Sequence, residues 1–312
     1  MRICSLLPGA TETVAALGRA DDLVGISHEC DYPPGLSAPV LVEPVIRSDS
    51  LSSEEIDRQV RAAAVQNHSL YRLSESALAA VRPDLVILQD LCDVCAVTPT
   101  QVDRILSTLT PRPRVLKLHP LRLTDTLDDI LRIGSAIERD AEAAQLTSRL
   151  QQALHGICHR AGSESRPRVA CLEWLDPLYI AGHWVPDMVE LAGGIAVLTE
   201  AGAPSRRITW DELTAAAPDV LVIMPCGFPR ERACAEFTRI SAEPQWGAVP
   251  AVQSGRVLVV DALSYFSRPG PRLVDGVLQL AAFLYPDLPP TETPLQQPPP
   301  SDAQHECLDR RR

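Results

Sequence analysis

A chain of 312 residues with 46% hydrophobic and 22% charged side chains has the composition of a soluble globular protein and the length for two α/β lobes. Its 40 acidic against 29 basic residues give a net charge of −11, which disfavours nucleic acid or an anionic membrane as the main partner. Nine cysteines, odd in number and spread along the chain, do not have the spacing of a disulfide framework and fit a reducing compartment.

The chain opens with a β-type apolar run, residues 2–7, before Pro8-Gly9. That run is shorter than the roughly 7–15 apolar residues of a secretory signal, and no later run reaches the ~18 of a membrane span. Read as it stands, the sequence predicts a cytoplasmic protein without membrane insertion. A short helix over residues 12–17 closes at Gly18, and Leu23–Ser27 supplies a second strand. A loop with Tyr32-Pro33-Pro34 follows, then helices capped near Ser52 or Ser53 and near Ser74. Leu85–Gln89 and residues 115–118 read as further buried strands.

From Thr124 the period changes. Leu127, Ile130, Ile133, Ile137, Leu146, Leu150, Leu154 and Ile157 keep helical spacing, and no proline interrupts residues 121–166, so one long helix is predicted over 123–161. The βα alternation restarts at residues 168–172 and continues through strands at 220–224 and 257–260, with helices near 186–192, 211–216 and 272–284. An internal repeat supports two lobes: Arg82-Pro83-Asp84-Leu85-Val86 corresponds to Ala217-Pro218-Asp219-Val220-Leu221, and Arg2-Ile3-Cys4 to Arg168-Val169-Ala170. The predicted fold is α/β, with two parallel-sheet lobes joined by one long helix and a ligand cleft between them. The boundaries expected are 1–122, 123–162, 163–285 and a Pro-rich disordered tail over 286–312.

Polar ligand atoms cluster just past the predicted strand ends, the edge where open α/β sheets bind ligands. His28 and Cys30 follow one strand, Cys92 and Cys95 another, His119 a third and Cys226 a fourth. Cys92-Asp93-Val94-Cys95 has the C-x2-C spacing with which two thiolates grip one metal or form a redox pair. With Cys30, His119 and Cys226 it defines a candidate zinc or iron–sulfur site, against the alternative that these are small residues packed under loops. Aromatic residues are only 4% of the chain, yet Tyr32, Trp174, Tyr179, Trp184, Phe228, Tyr265 and Phe266 fall in the predicted cleft loops, suiting a flat apolar ligand. Glycine-rich phosphate loops, the G-x-S-x-G elbow and the H-E-x-x-H helix are absent from the sequence.

Ser5-Leu6-Leu7-Pro8-Gly9-Ala10-Thr11-Glu12, Leu23–Ser27 and Cys30-Asp31-Tyr32-Pro33 together resemble the opening of the cobalamin-binding proteins of ABC importers, in the ferric-siderophore and cobalamin binding-protein superfamily. Glu173-Trp174-Leu175-Asp176-Pro177, Ala181-Gly182-His183-Trp184, Met224-Pro225-Cys226-Gly227-Phe228 and Tyr265-Phe266-Ser267-Arg268-Pro269-Gly270 resemble a leaderless, cobalamin-binding-like subgroup. The resemblance implies two Rossmann-like lobes and non-enzymatic binding of cobalamin or a related corrinoid, tetrapyrrole or metal complex. An importer permease is the implied partner. Pro8, Thr11, Glu12, His28, Tyr32, Glu173, Trp174, His183, Trp184, Phe228, Tyr265 and Phe266 are the expected ligand contacts, with His28, His119 or His183 able to offer an axial nitrogen. Two alternatives stand beside it: a metal or iron–sulfur protein built on the cysteines, and a corrinoid-processing enzyme using Glu173 or His183 as acid or base.

Overall fold

The computed structural model describes residues 1–48, 50–66, 69–90, 99–158 and 166–287. The chain divides into two compact units. The first comprises Met1–Pro120, Thr124–Thr147 and Pro269–Pro271; the second comprises Leu121–Leu123, Ser148–Arg268 and the residues from Arg272 on.

In the first unit the order is β1 (Ile3–Ser5), α1 (Pro8–Ala16), β2 (Leu23–Ser27), β3 (Val40–Pro44), α2 (Ser53–Val65) and β4 (Tyr71–Leu73). Then come α3 (Glu75–Val81), β5 (Leu85–Gln89), α4 (Pro99–Leu106), β6 (Arg114–Leu118) and α5 (Leu123–Ala136). Their sheet runs β4-β3-β2-β1-β5-β6, parallel throughout except for the β3–β4 pair. The chain builds outward from β1 through β2 and β3, then crosses to the other side of β1 for β5. The ends of β1 and β5 therefore form a topological switch point, where loops diverge to opposite faces and leave a crevice. One sheet face buries Cys4, Val86 and Leu88 against Leu78 of α3 and Val102 and Leu106 of α4. The alternation Val86, Leu88 is the two-residue strand period that sends every second side chain to one face. Ser52 and Ser74 accept from the backbone N–H groups of Glu55 and Ala77, each at 3.3 Å, which starts α2 and α3 where the sequence predicted.

The expected single helix over 123–161 is two helices, α5 and then α6 (Asp140–Cys158). Glu138 adopts a left-handed φ of 59°, the N–H of Arg139 donates to the Gly134 carbonyl at 2.8 Å, and that of Glu138 reaches Ser135. This is a Schellman stop without glycine at the left-handed position, so no sequence signal marked it. The apolar period survives the break because Ile130, Ile133, Ile137, Leu146, Leu150, Leu154 and Ile157 are all buried. Gly134 permits the turn: a Cβ there would lie 2.3 Å from that of Ala143 in α6.

The second unit contains β7 (Arg168–Leu175), β8 (Leu178–Ile180), α7 (Val185–Leu191), β9 (Ile195–Ala196), β10 (Arg206–Arg207) and α8 (Trp210–Ala216). It continues with β11 (Val220–Ile223), α9 (Arg230–Ile240), α10 (Pro250–Gln253), β12 (Val257–Val259), α11 (Ala262–Tyr265) and α12 (Leu273–Leu284). Its sheet runs β10-β8-β7-β11-β12, with β9 pairing the start of β7. β7, β11, β12 and β9 are parallel, while β8 and β10 are antiparallel additions. A capping box at Thr209 and Glu212 starts α8.

The internal repeat is visible as matched hydrogen bonds. In the first unit the N–H of Arg2 donates to the Asp84 carboxylate at 2.7 Å, its guanidinium donates to the Val81 carbonyl, and the N–H of Asp84 returns to the Arg2 carbonyl at 2.8 Å. In the second, the N–H of Arg168 donates to Asp219 at 2.8 Å, its guanidinium to the Ala216 carbonyl, and the N–H of Asp219 to the Arg168 carbonyl at 2.8 Å. Arg82 and Ala217, two residues before each aspartate, share a left-handed φ near 41–42°.

Two substitutions test the interhelical stop. Glu138→Gly, relieving the left-handed residue, is expected to raise unfolding free energy by about 0.5–1 kcal/mol. Gly134→Val, driving a side chain into Ala143, is expected to lower it by about 1–3 kcal/mol. Urea denaturation midpoints decide both.

Candidate functional site

Each unit presents a rim at the carboxyl ends of its parallel strands, and the predicted site residues divide between these rims. In the first unit, Ser5 ends β1 and Thr11 lies on α1. The Thr11 hydroxyl donates to Ser5 Oγ at 2.8 Å and sits 3.0 Å from Cys30 Sγ, while the Ser5 hydroxyl donates to the Leu7 carbonyl. All three side chains are buried, so Cys30 and Thr11 form a polar brace beneath the loops. Pro8 is half-buried at the start of α1, and Glu12 is buried one turn further on. A Cβ built on Gly270 would stand 3.5 Å from Glu12 Oε2, so the Pro269–Pro271 segment covers this end of α1.

His28 follows β2 and is about one-quarter exposed. Its Nδ1 lies 3.1 Å from the Val42 carbonyl, so the tautomer that donates there leaves Nε2 as the acceptor, 3.8 Å from Glu29. His119, exposed after β6, makes a short contact through Nδ1 to the Asp90 carbonyl. Tyr32 is half-buried in the loop after β2.

The second unit gathers its predicted residues into one patch. Glu173 and Trp174 are half-buried at the end of β7, and the Glu173 carbonyl accepts from the N–H of Cys226 at 2.9 Å. Phe228 meets Trp174 edge-on at 5.4 Å, and the Arg232 guanidinium lies 3.7 Å over the centroid of Phe228. The N–H of Gly227 donates to Ser267 Oγ at 3.1 Å, tying the loop after β11 to the segment after α11. The Trp184 indole N–H donates to the Phe266 carbonyl at 2.8 Å, which brings the His183-Trp184 corner to the same place. His183 has a left-handed φ of 51° and its ring sits 5.7 Å from that of Trp184.

Burial sorts these residues. Trp184, Phe228 and Phe266 are 6%, 3% and 1% exposed, so their rings are committed to the interior of the unit. Glu173, Trp174, His183 and Tyr265 are half-buried and Cys226 is exposed, so these are the groups that can meet a ligand. Arg272 stands 5.8 Å over the ring of Tyr265. Sequence reasoning missed Arg232, although its spacing of four from Phe228 placed it within reach.

Among the described residues no group of three His, Cys, Asp or Glu side chains converges as a metal site. Of the expected cluster, Cys30 and His119 belong to the first unit and Cys226 to the second, and Cys92 and Cys95 lie outside the described residues. Cys234 on α9 is disulfide-bonded, so not every cysteine is a free thiol. No described helix is long and apolar enough to cross a membrane.

The sequence profile described as periplasmic binding protein matches residues 3–263. The vitamin B12-binding protein of Vibrio cholerae serotype O1 is 24% identical over 287 residues, covering 91% of this chain and 88% of its own. A periplasmic heme-binding protein from Pseudomonas aeruginosa superposes with a TM-score of 0.69 at 22% identity, covering 94% of this chain and 96% of its own. The periplasmic vitamin B12-binding protein BtuF of Vibrio cholerae gives a TM-score of 0.66 at 19% identity, over 95% of this chain and 98% of its own. At these identities the structural likeness establishes the fold.

The thiols provide a check on the rim geometry. Burial pushes the Cys4 thiol up to about 12, with Arg2 pulling slightly the other way, and burial alone pushes Cys171 to about 12. A raised thiol stays protonated at pH 8 and lacks the nucleophilic thiolate. Brief iodoacetamide treatment of native protein at pH 8 is expected to label exposed Cys226 and spare Cys4 and Cys171, as read by peptide mass spectrometry.

Proposed function

The chain belongs to the periplasmic binding protein family, and we propose that it binds cobalamin or a related corrinoid without transforming it. The observation that carries this reading is the patch in the second unit. Trp174 and Tyr265 are partly exposed aromatic residues, and buried Phe228, with the Arg232 guanidinium over its own ring, meets Trp174 edge-on. A broad, largely apolar cargo with polar edges suits such a surface, with a few polar groups fixing its orientation. His183, half-buried in the same unit, supplies a nitrogen atom suited to orienting a metal complex. The match to a protein named for vitamin B12 binding along nearly the whole chain supports the same class of cargo. A further relative, an uncharacterized ABC transporter substrate-binding lipoprotein of Bacillus subtilis, supports an importer permease as the receiving partner.

The test is calorimetric and spectroscopic titration of the purified full-length protein with cyanocobalamin and, separately, hemin. Saturable one-to-one cobalamin binding is expected. Trp174→Ala is expected to weaken it by about 2–4 kcal/mol while leaving the far-ultraviolet circular dichroism unchanged. Hemin binding without cobalamin binding would move the cargo to the haem class; no binding of either would remove the proposal.

A further inference from the structure

A separate cavity of about 390 Å³ opens in the second unit, beginning at Leu175-Asp176, immediately after Trp174 on the same strand. Its volume falls within the ~300–1,000 Å³ of small-ligand sites. One wall is aromatic: half-buried Trp210 meets Trp246 edge-on at 4.8 Å, and Trp246 meets Phe237 edge-on at 5.3 Å. Such bracing fixes the Trp210 ring as a rigid face. Trp246 is 1% exposed, and its indole N–H has no hydrogen-bond partner among the described residues, a cost the protein carries in the wall of the cavity. The remaining polar lining is Asp176, Glu243, Arg207 and Thr209. Arg239 is paired with Glu236 at 2.8 Å and, more weakly, feels the charges of Asp176 and Glu243.

This combination has a chemical meaning. A flat indole face takes an aromatic base. Carboxylates accept hydrogen bonds from ribose hydroxyls, as they do in dinucleotide sites. A guanidinium pairs with phosphate. An aromatic face alone would suit the ring of a corrinoid as well; the three together in one cavity match a base on a ribose phosphate.

We infer that this cavity takes a nucleotide-like arm of the cargo and selects corrinoids that carry one over those that do not. The inference rests on the corrinoid reading above, because the cavity begins at Leu175, the residue after Trp174 on β7, and would receive an appendage of whatever Trp174 holds. Cyanocobalamin has a benzimidazole ribose phosphate arm; cobinamide is the same corrin ring without it. Arg207 and Glu243 are exposed, so removing their charge does not threaten the fold.

The experiment is equilibrium dialysis of full-length wild type, Arg207→Gln, Glu243→Gln and Trp210→Leu against cyanocobalamin and dicyanocobinamide. Wild type is expected to favour cyanocobalamin by about tenfold or more, the size of one lost base-stacking or charged contact. In the three variants that ratio is expected to fall towards one while cobinamide affinity stays within twofold of wild type. Equal affinities for the two corrinoids in wild type, or variants that weaken both alike, would overturn the arm pocket and leave corrinoid binding standing. Binding of neither corrinoid would overturn both.

Discussion

The rest of the structure depends on how the first strand of each unit is held beside its parallel neighbour. A parallel pair has no hairpin to set its register, so something at its start must do so. Here the Arg2–Asp84 and Arg168–Asp219 exchanges do it, with backbone N–H groups donating to carboxylates and each arginine reaching the last turn of the preceding helix. These charge-assisted bonds are stronger than neutral ones and act at the strands' amino ends. With those ends fixed, Ile3 pairs with Leu85 and Val169 with Val220, and the carboxyl ends emerge level. The loops that could hold cargo start from those level ends.

At the rims, buried polar and aromatic groups work as supports for the few side chains left in view. Cys30, Thr11 and Ser5 hold one another under the first rim. At the second, Arg232 lies over Phe228, which meets Trp174 edge-on, and the Trp184 indole pins the segment that carries Tyr265. A binding face built this way loses little side-chain freedom on association, because its aromatic rings are already confined. A family whose members bind cargo gains affinity from such confinement without any chemistry at the site.

Much of the fold was legible in the sequence. β2 and β5 match their apolar runs, and β1, β6, β7, β11 and β12 fall within three residues of theirs, because each except β6, a half-exposed edge strand, is a largely buried strand that reads as a continuous apolar stretch. The short strands β3, β4, β8, β9 and β10 were not legible: two to five residues, several of them polar, leave no period to detect. The stop between α5 and α6 was hidden because Glu138 takes the position where a glycine would have announced it. At the candidate site, motif resemblance picked out segments but could not say which rings face outward. Trp184 and Trp174 look alike in sequence; the hydrogen bond to Phe266 buries one, and the strand end leaves the other partly open. Trp210 and Trp246 carried no signal at all, since their pairing joins residues from two different segments.

Pro269–Pro271 gives the chain a property its near-repeat would not suggest. These three residues lie far along the sequence yet belong to the first unit, where a Cβ on Gly9 would fall 2.0 Å from the Pro269 carbonyl. The two halves are therefore not separable modules: a gene fragment ending before α6 encodes a first unit missing part of its own wall. During synthesis that unit must wait, incomplete, until nearly the whole chain has left the ribosome. Neither half can be exchanged between relatives as a cassette without carrying a short piece of the other, which ties the evolution of both to a single reading frame.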